Sequence, residues 1–147
     1  MAAEWQRGDY EVSDDRARLD LAVVHRFLAG DSYWAAGIPV AIMSRAVAHS
    51  LCFGLYRAGH QVGFARVVTD HATFGYLCDV FVESAHRGAG LGKWLVECVL
   101  AHPELQGLRR LALMTRDAHD LYTPFGFKPL ADATRYLEIH KPNVYRA

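Results

Sequence analysis

The stretch Tyr76-Leu77-Cys78-Asp79-Val80-Phe81-Val82, followed by Arg87-Gly88-Ala89-Gly90-Leu91-Gly92 and then Lys93 to His102, decides the fold. The first part reads as a strand, the second as a glycine-rich turn and the third as a helix. A strand, a turn of glycines and a helix N-terminus together form a cradle for an anion. Glycines let backbone N–H groups come close, and the helix end adds partial positive charge. Arg87 contributes a full charge and several donors. The arrangement predicts a pyrophosphate-bearing ligand.

Two familiar glycine loops do not fit. A P-loop needs Ser or Thr after its lysine, and Trp94 follows Lys93. A dinucleotide fingerprint needs glycines spaced G-x-G-x-x-G. Here Gly88, Gly90 and Gly92 are spaced by two, and Lys93 stands three after Gly90. The pattern that does fit is R-x-x-G-x-G, with Arg87, Gly90 and Gly92. It resembles the coenzyme A pyrophosphate loop of the GNAT superfamily of N-acetyltransferases.

The elements outward from that loop read as follows. Tyr10-Glu11-Val12 suits a short first strand. Ser13, Asp14 and Asp15 are N-cap types ahead of a helix over Arg16 to Ala29, whose apolar residues recur every three and four positions. Pro39 suits the start of a second helix, Val40 to His49. Leu51 to Tyr56 and Gln61 to Thr69 form a hairpin about Ala58-Gly59, and Thr73 to Val82 is a longer strand. On the helix that follows, Leu91, Leu95, Cys98 and Val99 share a face. Leu108 to Thr115 is a buried strand, Ala118 to Phe125 a short helix, and Tyr136 to His140 a last strand. The expectation is one domain over residues 1–147. Its class is α/β, with a mixed and mostly antiparallel sheet, helices on both faces, and a parallel strand pair splayed around the ligand. The GNAT resemblance implies this same order.

Composition bounds the partners. Lys plus Arg is 16 and Asp plus Glu is 16, so there is no basic excess of the kind nucleic-acid binders carry. The first ten residues lack the apolar core of a secretory signal, and no segment approaches a membrane span. A cytoplasmic protein without nucleic-acid or membrane partners is expected. Cys52, Cys78 and Cys98 form no C-x-x-C pair, and the eight histidines lack ligand spacing, so no metal is expected.

A second resemblance lies in Ala118-His119-Asp120-Leu121-Tyr122-Thr123-Pro124-Phe125-Gly126-Phe127, which is similar to the superfamily's A-x-x-L-Y-x-x-x-G-F segment. It implies that Tyr122 protonates the departing coenzyme A thiolate. A phenol, with pKa near ~10, stays protonated at neutral pH and can make that donation. Tyr122 can equally be an aromatic packed against Phe125 or Phe127. The resemblance also implies acetyl-CoA as co-substrate. Main-chain groups of Val80, Phe81 and Val82 would bond its pantetheine arm, and Arg87, Gly88, Ala89, Gly90, Leu91, Gly92 and Lys93 its diphosphate. Many relatives place Asn seven positions before the tyrosine. Here Thr115 stands there, with a shorter reach.

Asp79 interrupts an apolar strand, and alternation puts it on one face with Leu77 and Phe81. A carboxylate there is costly without a partner. It either serves the acceptor amine, directly or through water, or is a structural group bonded to backbone or to an arginine such as Arg66. The loop Asp31 to Pro39 borders the acceptor site in the superfamily. Tyr33 and Trp34 could stack on an acceptor or hold its charge, and Asp31 could pair with it; they could also seal the core edge or a dimer contact. His71, in the turn before the long strand, is a weaker candidate proton carrier, and Cys78 a rival covalent nucleophile. The expected function is acetyl transfer to a primary amine of a small molecule. The alternatives are a protein-amine acceptor and a non-catalytic acyl-CoA-binding module. A homodimer is an expectation of such compact folds.

Overall fold

A computed structural model describes residues 1–146. Six strands form one sheet in the order β1-β2-β3-β4-β5-β6. They span Glu4–Arg7 (β1), Tyr10–Ser13 (β2), Leu51–Arg57 (β3), His60–Thr69 (β4), Phe74–Val82 (β5) and Arg110–Leu113 (β6). Every neighbouring pair is antiparallel except β5 and β6, which are parallel. The helices are α1 (Leu21–Arg26), α2 (Val40–Ala48), α3 (Leu91–Leu100) and the short α4 (His119–Tyr122). The α/β mixed sheet expected from the sequence is the observed fold.

Two apolar clusters lie on opposite faces of the sheet. On one, α3 inserts Leu91, Trp94, Leu95, Val96, Cys98 and Val99 against Phe53, Ala65, Val67, Leu77 and Val82. Leu95, Val96 and Val99 are wholly buried, each worth about 1.5–3 kcal/mol of transfer free energy. On the other, Val23, Val24 and Leu28 with Met43 and Val47 of α2 cover Cys52, Phe64 and Phe81.

Four sequence expectations change. The strand expected buried over Leu108 to Thr115 is shorter, Arg110–Leu113, and half-buried at the sheet edge. The helix expected over Arg16 to Ala29 is broken. Asp15 caps only a single tight turn through Ala17 N–H, Leu19 is extended, and Asp20 is the cap that starts α1, accepting from Ala22 and Val23. The chain then loosens into a π turn over Phe27–Asp31. The first strand is preceded by another, β1, whose Trp5 packs on Phe53 and His102. The last strand, Tyr136 to His140, is absent. Leu137 and Ile139 are 91% and 93% exposed, and β6 is left as the edge of the sheet. The side chains of that segment are strand-like, but among the described residues no strand pairs with it.

Candidate active site

The parallel pairing of β5 and β6 ends at Leu77↔Leu113. Beyond it β5 continues to Val82, while the chain after Leu113 turns away toward α4. The β6-side edge of β5 from Cys78 to Val82 therefore opens into a V.

At its wide end lies the glycine loop. Gly88 and Gly90 have φ of 88° and 75°, and Gly90, left-handed, is the residue from which α3 starts, without any side-chain cap. Among the described residues, no backbone N–H from Gly88 to Lys93 finds a backbone or side-chain acceptor. Consecutive free amides at a helix N-terminus are an anion nest. Arg87 is fixed beside it, its Nε donating to the Val82 carbonyl at 2.8 Å. A methyl group on Gly88 or Gly90 would meet no protein atom, and on Gly92 only Leu121 at 3.8 Å. Packing leaves these positions open, and the left-handed φ of Gly88 and Gly90 is what favours glycine at those two.

Above the V, β5 carries a bulge. Phe64↔Phe81 and Arg66↔Cys78 are partners, so Asp79 and Val80 together oppose Ala65. Asp79 has φ 54°, a left-handed value that a non-glycine residue rarely adopts. The bulge breaks the alternation assumed from sequence. Leu77 lies in the α3 cluster and Phe81 in the α1–α2 cluster, so Asp79 does not share one face with both. Its Oδ2 accepts from Arg66 Nε at 2.8 Å and its Oδ1 from Trp34 Nε1 at 2.7 Å. Arg66 also donates to Ser50 Oγ at 3.0 Å. Arg66 is the partner that the structural reading of Asp79 named.

Trp34 and Tyr33 are presented by a loop that Ser32 pins. The Ser32 hydroxyl donates to Leu28 O at 2.6 Å and accepts from Ala35 N–H at 3.1 Å. Tyr33 meets Trp34 edge-on at 5.0 Å. The Tyr33 hydroxyl accepts from Arg116 N–H at 3.1 Å, and the Arg116 guanidinium lies 3.8 Å from the Tyr33 ring centre. The pair thus bridges the loop after β6 and the bulge of β5, spanning the mouth of the V. Phe27, stacked on Phe81 at 4.0 Å and near Trp34, continues the aromatic wall. Nothing in the sequence singled out Arg116 or Phe27. Asp31 is exposed and makes no side-chain hydrogen bond or ion pair to this cluster.

Tyr122, at the end of α4, is 9% exposed and packs edge-on to Phe127 at 5.9 Å. Burial, then the neighbouring Tyr33 and Cys78, push its phenol up to about 12. It lines a cavity together with Thr115 and the β6 residues Leu111 and Leu113. Cys78 is pushed up to about 12, by burial first and Asp79 next, so it is a thiol and not a nucleophilic thiolate at neutral pH. Thr115 accepts from Ala118 N–H at 2.9 Å and so starts the α4 turn. The turn before β5 does not reach the V. His71 pairs with Glu104 at 2.9 Å, and Asp70 caps the turn through Ala72, Thr73 and Phe74, which holds its carboxyl well below the usual range. Both sit at the opposite end of β5 from Asp79, which removes His71 as a proton carrier. Among the described residues, no group of three or more His, Cys, Asp or Glu is placed to hold a metal, and no helix is long and apolar enough to cross a membrane.

A splayed parallel pair, an amide nest at the following helix and a tyrosine on the next short helix make up the candidate site. The family model described as an acetyltransferase (GNAT) domain matches residues 48–129. A Gibberella zeae protein, named for an inferred acetyltransferase activity, is 37% identical over 140 residues, covering 80% of this chain and 78% of its own. The crystal structure of a Xanthomonas campestris protein, assigned to the GNAT family as an acetyltransferase by inference, is 49% identical. It superposes with a TM-score of 0.92 over 94% of this chain and 97% of that one. A Deinococcus radiodurans structure, 19% identical with a TM-score of 0.72 over 94% of each chain, shares the fold. The chain belongs to the GNAT acetyltransferase family.

Proposed function

We propose that this protein is an acetyl-CoA-dependent N-acetyltransferase that acylates a primary amine of a small molecule by direct attack. The observation that carries the reading is the row of free amides from Gly88 to Lys93 at the mouth of the V, with Tyr122 on the short helix that follows β6. Family membership supports it, and one structural neighbour, from Clostridium acetobutylicum, is described with acetyl-CoA.

Acetyl-CoA supplies an activated acyl thioester. Amides of Gly88, Ala89, Gly90, Leu91, Gly92 and Lys93, with Arg87, hold its diphosphate. The open edge of β5 at Val80, Phe81 and Val82 receives the amides of the pantetheine arm, and a main-chain N–H at the bulge polarises the acyl carbonyl. The Thr115 hydroxyl, an acceptor for α4, still has a proton to donate. A neutral amine forms the C–N bond as the C–S bond breaks; the Tyr122 phenol gives its proton to the sulfur, and the amine proton leaves to water. A phenol with pKa near 12 is fully protonated at working pH, as this donation needs. Asp79 acts by holding Trp34 and Arg66. Tyr33 and Trp34, which narrow the mouth, favour a small acceptor over a folded protein, and Asp31 lies on the outer approach.

The test is calorimetry with CoA and acetyl-CoA, together with Tyr122→Phe assayed by free-thiol release across an amine panel. Expected are CoA binding in both proteins and a fall in kcat of about 10²–10³ in the variant, the usual scale for losing a general acid. Absence of binding removes the nest, an unchanged rate removes Tyr122, and binding without turnover on any amine indicates a non-catalytic acyl-CoA module.

A further inference from the structure

Arg116 is held twice by one aromatic residue. Its main-chain N–H donates to the Tyr33 hydroxyl at 3.1 Å, and its guanidinium lies 3.8 Å from the centre of the Tyr33 ring. A guanidinium over a ring face spends its charge there and keeps its N–H donors for other partners. Among the described residues, none of those side-chain donors makes a hydrogen bond. The one ion pair of Arg116 is with Asp117 at 3.6 Å, between side chains 65% and 66% exposed, which water screens. No other carboxylate of the cluster competes. Asp79 divides its oxygens between Arg66 and Trp34, and Asp31 is exposed and bonded to none of these side chains.

The two faces of the sheet separate the ligands. The glycine loop starts α3, whose cluster covers one face. Tyr33 and Trp34 belong to the segment joining α1 to α2, whose cluster covers the other. A cofactor gripped by the loop amides comes from the α3 side, so Arg116 on Tyr33 meets what comes from the α1–α2 side. Resting on the acetyltransferase reading, we infer that Arg116 selects the acceptor, an amine that carries an oxyanion, carboxylate or phosphate, away from its nitrogen. A guanidinium matches either group with two parallel N–H bonds. The same charge repels a second ammonium, and the Tyr33 face that would receive one is taken. Exposed Trp34 and the free rim of Tyr33 flank the body of the acceptor.

Matched amines read the selection. Relative to benzylamine, para-(aminomethyl)benzoate adds a carboxylate; relative to ethanolamine, phosphoethanolamine adds a phosphate; putrescine carries a second ammonium. Free-thiol release with acetyl-CoA gives kcat/KM for each. At least one anionic amine should exceed its neutral counterpart by more than about tenfold, the scale of one hydrogen bond to a charged group, and should do so through KM. Putrescine should be the poorest, and the pair that shows the preference tells carboxylate from phosphate. Arg116→Met should erase the preference and Arg116→Lys restore part of it, with CoA affinity unchanged in calorimetry. The main-chain bond to Tyr33 survives both substitutions, and circular dichroism checks the fold. A preference absent from the wild type, or kept by Arg116→Met, overturns the inference. So does a loss of CoA affinity of about tenfold in Arg116→Met, which would assign the charge to the cofactor. A binding arm needs no turnover. Calorimetry with the two anionic amines in the presence of CoA should show one of them bound by the wild type and not by Arg116→Met. That result supports the clamp even if no amine is acetylated, an outcome that counts against the acetyltransferase reading alone. No binding of either, or equal binding of the neutral amines, refutes the clamp.

Discussion

Replacing Asp79 separates its packing role from its chemistry. The carboxylate side chain is 9% exposed and faces an Arg66 side chain that is 18% exposed. Leaving one member of a buried pair without its partner costs about 3–5 kcal/mol when both are fully enclosed. Arg66 keeps its bond to Ser50 and some contact with water, which brings the expected cost of Asp79→Asn to about 2 kcal/mol, below that range. Asn tolerates the left-handed φ of 54° and still offers Trp34 an acceptor. Ala does neither, and adds about 1–2 kcal/mol of backbone strain. Urea unfolding should therefore rank wild type above Asp79→Asn above Asp79→Ala. A cycle with Arg66→Met should show coupling of at least about 1 kcal/mol, as groups in one network do. If both variants lie within about 0.5 kcal/mol of wild type, the scale of a neutral surface change, the bulge is not held by this pair. The kinetic half uses the same proteins. If Asp79 fixes Trp34 and Arg66, Asp79→Asn raises KM for the acceptor and keeps the acidic limb of the pH–rate profile. Loss of that limb would make Asp79 the proton acceptor and refute the positioning role.

Other expectations follow from individual sites. Gly90→Ala places a methyl in open space at a φ of 75°, so it should cost about 1–2 kcal/mol in stability, measured by thermal unfolding, and weaken CoA by more than tenfold in calorimetry. Gly54→Ala would bring a methyl within 2.2 Å of the Tyr56 hydroxyl, and Tyr56 is wholly enclosed, so about 1–3 kcal/mol should be lost in urea with ligand affinity unchanged. Burial pushes the Cys52 and Cys98 thiols from 9.0 to about 12. Unfolded thiols then ionise from pH 9 while the folded ones stay protonated. Stability should be complete below pH 9 and fall as pH rises toward 12, by about 1 kcal/mol per thiol at pH 10. A flat urea midpoint between pH 8 and 10 would contradict this, and Cys98→Ala should soften the slope.

Most of the candidate site was readable because it is local. Arg87 to Gly92, the strand before them and the helix after them sit in sequence as they sit in space, and Tyr122 follows at a fixed interval. What escaped depends on contacts distant in sequence. Arg116 reaches Tyr33 across 83 positions, and Trp34 reaches Asp79 across 45, so neither pair leaves a periodic trace. Alternation misplaced Asp79 because a bulge adds a residue to β5 that no composition marks. Tyr136 to His140 carries the apolar alternation of a strand, yet a strand exists only where another supplies its hydrogen bonds.

The bulge at Asp79 and Val80 connects the parts. An extra residue in β5 increases its local twist and carries its upper half away from the direction of β6. Pairing with β6 stops at Leu77, and the edge from Cys78 onward is left without a strand partner. The same extra residue turns a carboxylate toward Arg66, whose positive charge stabilises it there, and toward Trp34, which it draws over the opening. Tyr33 then reaches the loop after β6 and holds the two diverging strands at a fixed separation. An irregularity that would weaken an ordinary sheet thus opens the V, orients its aromatic cover and sets its width, leaving the glycine loop at the wide end and Tyr122 on the short helix that follows β6.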